Sequence, residues 1–196
     1  GMLRAAGGDV TLSALRRELP RATQIVQVLV KKGIVARSEI RVERDPFGGE
    51  EFIATAPLTL TAEQEAAHGR VLQALAAPRE SRPILLHGVT GSGKTEIYLQ
   101  AIARVLEQNR TALVLVPEIS LTPQTIERFK ARFSHGPLRT LVAVLHSHLS
   151  AGERHDEWHK IRQGRARVVI GARSAIFAPV ETLGLIVVDE EHEHSY

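Results

Sequence analysis

Residues 84–95 read Ile-Leu-Leu-His-Gly-Val-Thr-Gly-Ser-Gly-Lys-Thr, an apolar run that passes directly into a glycine-rich turn ending in Lys-Thr. Gly88, Gly93, Lys94 and Thr95 match the phosphate-loop pattern G-x-x-x-x-G-K-[ST]. Glycines let successive backbone N–H groups turn inward as an anion nest, here along Gly88, Val89, Thr90, Gly91, Ser92 and Gly93. Lys94 is set to reach the β- and γ-phosphates of a nucleotide, and the Thr95 hydroxyl to sit on Mg²⁺. A helix beginning near Lys94 adds the positive end of its dipole. The surroundings agree. Ile84–His87 is expected as a short buried strand, and Ile97, Ala101, Ile102, Val105 and Leu106 recur at helical spacing through residues 95–107. The alternative is an ordinary glycine-rich turn, which this strand and helix argue against.

A second site follows downstream. The apolar run Leu185–Val188 ends in Asp189-Glu190-Glu191-His192. In P-loop ATPases the strand beside the phosphate-loop strand ends in an acid that holds Mg²⁺, which assigns Asp189. A following glutamate can orient and deprotonate the attacking water, so Glu190 is the candidate base. Alone, such a cluster also describes a solvated strand end. The order D-E-x-H is typical of superfamily 2 helicases rather than of kinases or GTPases.

With these residues in place the chain resembles the PriA family of primosomal replication-restart helicases. The matching segments are Gly88–Thr95, Val116–Gln124 (VPEISLTPQ), Leu145–Ser147, Glu153-Arg154, Trp158, Ile170–Pro179 (IGARSAIFAP) and Leu183–Tyr196 (LGLIVVDEEHEHSY). The resemblance is specific across residues 60–196 and looser across 1–55. It implies ATP and Mg²⁺ as cofactors, 3′→5′ translocation, and single-stranded and forked DNA as substrates. It also implies single-strand-binding protein and other primosome proteins as partners, in a bacterial cytoplasm.

Composition sets limits. A length of 196 residues suggests one or two domains, and 43% hydrophobic residues suffice for a real core. A net charge of +3 is too small to argue nucleic-acid binding by itself. The absence of cysteine excludes disulfides and thiolate metal sites, so no zinc is expected in this fragment. No run of 18 apolar residues suggests a membrane span, and the start Gly-Met-Leu-Arg lacks a leader's apolar region.

Two domains are expected, at 1–55 and 56–196, with the turn residues Asp45–Gly49 near the junction. In the first, Leu12, Leu15 and Leu19 fit a short helix capped by Thr11 or Ser13. Ile25, Val28 and Leu29 mark a second helix stopped by Gly33, and residues 34–44 alternate as a strand. Helix, helix and β-ribbon suggest a winged helix, its first helix being Met2–Ala6 or lying outside the chain. The second helix offers Arg21, Gln24, Gln27, Lys31 and Lys32 to a groove. Yet residues 1–54 hold nine Lys/Arg against seven Asp/Glu, a poor electrostatic footprint. Packing on the motor or on other proteins is an equal alternative.

Residues 56–196 alternate apolar strands and helices. Strands are expected at Ile84–His87, Ala112–Val116, Leu141–Leu145, Val168–Gly171 and Leu185–Val188. Helices are expected at Thr61–Ala76, Thr95–Glu107, Pro123–Phe133 and Ala151–Gln163. The fold class is therefore α/β, a RecA-like P-loop lobe with a mostly parallel sheet, and ligands should bind beyond the carboxyl ends of its strands. By resemblance, Gln64 hydrogen-bonds the adenine edge, for which its amide has both donor and acceptor. Thr122, and Arg173 with Ser174, follow strands and are helicase DNA-tracking positions by resemblance. Arg173 has the alternative of pairing with a carboxylate within the lobe. His192 belongs by resemblance to the acidic motif and couples hydrolysis to DNA. The other histidines, including His155 and His159, read as solvated or hydrogen-bonded rather than as metal ligands, and Trp158 as a core residue.

The best reading is the first motor lobe of an ATP-dependent DNA helicase. The resemblance places its arginine finger on a second RecA-like lobe outside these residues, so this fragment should bind Mg-ATP weakly and turn it over slowly. The resemblance also puts the next strand, beyond Tyr196, between Ile84–His87 and Leu185–Val188, leaving both facing a gap. Two other classes stay open: a small-molecule P-loop phosphotransferase, and a non-catalytic DNA-binding module.

Overall fold

The structure, a computed structural model, describes residues 10–38, 53–77, 82–136 and 138–192, and the chain divides into two units, Gly1–Val42 and Glu43–Tyr196. In the first, Thr11 accepts from the Ala14 N–H to cap helix α1, Leu12–Glu18. Helix α2, Ala22–Lys31, stops at Gly33, whose φ of 69° suits a residue without Cβ. There the Gly33 and Ile34 N–H groups bond the Val30 and Leu29 carbonyls, which satisfies the end of the helix. Arg21, Gln24, Gln27, Lys31 and Lys32 are all exposed. Residues 34–38 form no strand. Residues 39–44 of the expected strand, the 45–49 turn and the expected helix at 2–6 lie outside the described residues.

The second unit is an α/β layer. Helix α3 is Ala62–Ala76, α4 Lys94–Glu107, α5 Pro123–Phe133 and α6 Ala151–Arg162. Strand β1 is Thr111–Leu115, β2 Leu141–Leu145, β3 Ala166–Gly171 and β4 Leu183–Val188. The strands form one parallel sheet in the order β2-β3-β1-β4. A strand's side chains alternate between faces, and β1 uses both. Ala112 and Val114 join Leu99, Ile102, Val105, Ile126, Phe129 and Phe133 of α4 and α5 in one core. Leu113 and Leu115 join Leu149 and Ile161, beside α6, in the other. β4 is the edge. Leu185 and Val187 pack on the first core, while Ile186 and Val188 are 43% and 45% exposed.

One expected strand is corrected. Ile84–His87 forms no strand among the described residues, and Ile84 and Leu85 are exposed. The run has strand composition, but a strand exists only through a ladder, and the outer edge of β4 carries no partner among the described residues.

Helices α4 and α5 are joined by a largely buried ion pair. Arg132 Nη1 and Nη2 lie 3.0 and 2.7 Å from Glu96 Oε1 and Oε2. Gln100 and the Leu58 N–H also donate to Glu96 Oε1, at 2.9 and 3.0 Å, which ties in the segment before α3. Burial alone would raise the Glu96 pKa, yet these donors and the guanidinium charge hold it below the ordinary glutamate value. Because the folded value is depressed, this stabilisation is present above the ordinary glutamate range and is lost as pH falls through the depressed value. Arg132→Met is expected to destabilise the fold by about 3 kcal/mol, since the buried carboxylate loses its partner. Urea unfolding at neutral pH measures this, and an unchanged midpoint would refute it.

Candidate functional site

The phosphate-loop residues run from Gly88 to the N-terminus of α4. Gly91 and Gly93 both have φ of 82°, and Gly93 is the N-cap of the helix. A Cβ on Gly88 would lie 2.7 Å from Ser92 Oγ, and one on Gly93 would strike Gln64 Nε2. At Gly93 the left-handed φ itself calls for glycine, while at Gly88 an added Cβ would displace the Ser92 hydroxyl. Ser92 Oγ is buried without a hydrogen-bond partner among the described residues. The Lys94 ammonium folds over the loop, donating to the Gly88 carbonyl and, at 3.0 Å, to that of Val89. Val89 and Thr90 are exposed. A tight glycine cradle, an unpartnered buried hydroxyl, a cation above it and the first N–H groups of a helix are a donor set that fits the phosphates of a nucleotide.

Gln64 sits beside this loop. Thr61 and Gln64 form a reciprocal capping box at the start of α3. Gln64 Oε1 accepts from the Thr61 N–H at 2.9 Å, and Nε2 donates to the Ser92 carbonyl at 2.8 Å. The amide therefore pins the phosphate loop to α3.

The acidic motif meets α4. The Asp189 N–H bonds the Leu115 carbonyl at 2.8 Å, extending the β4–β1 ladder by one residue. Asp189 Oδ1 accepts from the Glu190 N–H at 3.1 Å, and Oδ2 accepts from the Tyr98 hydroxyl at 2.9 Å. Tyr98 thus links the acidic motif to the helix that begins with Lys94 and Thr95. Glu190 turns another way. Its φ of 51° is a left-handed conformation uncommon outside glycine, and Oε2 accepts from Ser120 Oγ at 2.6 Å. His192 is exposed in the turn that follows.

The remaining candidates stand at the same carboxyl edge of the sheet. Thr122 caps α5 by accepting from the Thr125 N–H, and shares a 3.1 Å bond with the Thr125 hydroxyl. Arg173 and Ser174 open the short 3-10 turn Arg173–Phe177 after β3, both exposed. Glu118 ties the loop after β1 to the loop after β2, accepting from Ser147 N–H at 3.2 Å and from its hydroxyl. Those two bonds hold the Glu118 carboxyl below its ordinary pKa. Burial, then the neighbouring His148, depresses the pKa of His146.

Tyr98, Ser120 and Glu118 were missed as site residues. Tyr98 has the spacing of a core position, and its one signal is a hydroxyl one helical turn after Thr95. Ser120 and Glu118 lie inside VPEISLTPQ, but nothing in that string says which carboxylate or hydroxyl they face. Trp158 departs from its expected core role. It is only half-buried, with Arg162 5.4 Å over its ring and His159 edge-on, because it lies off the sheet-facing side of α6 that buries Glu157, Lys160 and Ile161. His155 and His159 bring their Nε2 atoms to 3.1 Å, one turn apart on α6. Among the described residues no group of three or more His, Cys, Asp or Glu converges as a metal site. Nor is any described helix long and apolar enough to cross a membrane.

Residues 61–196 match the model of the DEAD/DEAH box helicases. The chain is 50% identical over 190 residues to the replication restart protein PriA of Bacillus subtilis (strain 168), covering 97% of this chain and 23% of that protein. It is 43% identical over 199 residues to the replication restart protein PriA of Synechocystis sp., covering 100% of this chain and 22% of the other. For the protein of the same name from Haemophilus influenzae the identity is 40% over 182 residues, covering 89% of this chain and 23% of that protein. The chain thus spans less than a quarter of the length of these curated relatives.

Proposed function

The chain belongs to the DEAD/DEAH box helicase family, and from that premise we propose that it is the nucleotide-binding lobe of a 3′→5′ DNA helicase acting at forked DNA in replication restart. The observation that carries this reading is the 2.9 Å bond from Tyr98 to Asp189, which closes the acidic motif onto the helix of the phosphate loop. The relatives' name supplies the biological setting.

In this reading residues 56–196 are the lobe and 1–55 a winged helix preceding it. ATP supplies the phosphoryl group to be transferred, and Mg²⁺ neutralises charge on its oxygens. The N–H groups of residues 88–93 and the Lys94 ammonium hold the phosphates. Thr95 and Asp189 hold the metal, and Glu190 takes the proton of the attacking water. Each polar atom of the Gln64 amide keeps a second bonding position beyond those used by Thr61 and Ser92, and these suit the adenine N6/N7 pair. His192 couples hydrolysis to DNA. Thr122, Arg173 and Ser174 contact the backbone of a single strand. The partners are single-strand-binding protein and other primosome proteins, in the bacterial cytoplasm.

The test is the ATPase of the complete protein with and without single-stranded or forked DNA. Turnover should rise on DNA addition. Equal turnover in both conditions, or a phosphorylated small-molecule product, would refute the helicase reading.

Arg173→Ala in the complete protein is expected to weaken single-strand binding without base preference. Loss of one phosphate contact should reduce the slope of log affinity against log salt by about 0.7. A loss confined to particular sequences, or an unchanged slope, would remove Arg173 from backbone contact.

A further inference from the structure

Tyr98 stands one turn after Thr95 on α4, so the two side chains share a face of the helix. Its ring is 9% exposed and packs on Phe129 with centroids 6.2 Å apart and planes 17° from parallel. Phenylalanine would fill this place equally well. What tyrosine adds is one oxygen, and that oxygen reaches the acidic motif. It donates to Asp189 Oδ2 at 2.9 Å from the helix that also carries Thr95.

We infer that Tyr98 is a positioning residue for the divalent cation, its hydroxyl holding the Asp189 carboxylate against the helix that carries Thr95. This rests on the proposed reading of Thr95 and Asp189 as the metal ligands. Three fixed points make the arrangement specific. The phenol is anchored by its ring in the core between α4 and α5. Asp189 is held through its N–H by Leu115, and its Oδ1 by the Glu190 N–H. The Tyr98 bond fixes the remaining carboxylate oxygen. Without that hydroxyl, Asp189 has one rotational restraint fewer and loses its bond to the helix that carries Thr95.

The experiment is Tyr98→Phe in the full-length protein, read by equilibrium binding of a fluorescent ADP analogue across a Mg²⁺ titration. Outer hydrogen-bond partners of metal ligands typically contribute a factor of 10–100 in metal affinity. The Mg²⁺ midpoint should therefore rise roughly tenfold or more, while nucleotide affinity in excess EDTA stays at the wild-type value. In an Asp189→Asn background the same change should have little further effect. A Tyr98→Phe protein with the wild-type Mg²⁺ midpoint, whether or not its melting temperature falls, overturns the inference. An equal loss of binding with and without Mg²⁺ also overturns it, because Tyr98 would then shape the pocket generally. If wild-type binding ignores Mg²⁺, or Asp189→Asn leaves its midpoint unmoved, the ligand assignment itself falls, and the inference with it.

Discussion

Lys94→Ala is expected to abolish ATP hydrolysis by the complete protein, with a fall of about a thousandfold or more. Catalysis at a phosphate loop is mostly charge stabilisation by groups already in place, and removing a single preorganised donor of this kind costs roughly 10²–10³ even when it is uncharged. Lys94 is a full positive charge at the first position of α4, beside a loop in which Gly91 and Gly93 both take left-handed backbone. In the structure its ammonium bonds the Gly88 and Val89 carbonyls, so the substitution also frees two loop acceptors. The Val89 bond is exposed and the Gly88 bond part-buried, so water can replace the first, and the stability cost should stay at about 1 kcal/mol. The diagnostic pattern is a melting curve close to wild type together with lost turnover. Wild-type hydrolysis by the purified variant would remove Lys94 from the mechanism.

Glu190→Gln should part binding from chemistry. The amide keeps the shape of the carboxylate and an oxygen that the Ser120 hydroxyl can still reach, as it reaches Glu190 Oε2 at 2.6 Å. What disappears is a group able to take a proton. Removing a positioned base costs typically 10²–10⁴ in rate, whereas nucleotide affinity should hold or improve as negative charge beside the phosphates falls. Rapid-quench hydrolysis paired with equilibrium nucleotide binding separates the two quantities. A parallel fall in both would make Glu190 a structural or metal-site residue.

The contrast between what the sequence discloses and what it hides follows from the physics of each feature. Periodicity reports which face a segment buries, so α5 and β2 run over the residues expected of them, and the remaining helices and the other three strands shift by one or two at their ends. It cannot report whether a partner is present, which is why Ile84–His87 reads as a strand and forms none. Motifs carry positions that need special backbone, such as the left-handed Gly93, or that need charge, such as Lys94. They are silent on a side chain whose role depends on a neighbour distant in sequence: 91 residues separate Tyr98 from Asp189, and 70 separate Ser120 from Glu190. Gln64 shows a third case. Thr61 and Gln64 have the spacing of a capping box, a local pattern, but the bond from Gln64 to the Ser92 carbonyl exists only once α3 lies against the phosphate loop.

The two neighbouring carboxylates of the acidic motif have different moorings, and so they differ in what can disturb them. Asp189 is fastened to α4, which also begins with Lys94 and Thr95, so these three form one mechanical body. The Glu190 side chain is fastened through the Ser120 hydroxyl to the loop between β1 and α5, whose last residue is Thr122, while its N–H bonds Asp189. A push on that loop is transmitted to Glu190 as a torque about one side chain, while Asp189 is braced by the β4–β1 ladder and the core. In the proposed reading, the acid that grips the metal and the acid that serves as base thus hang from separate supports.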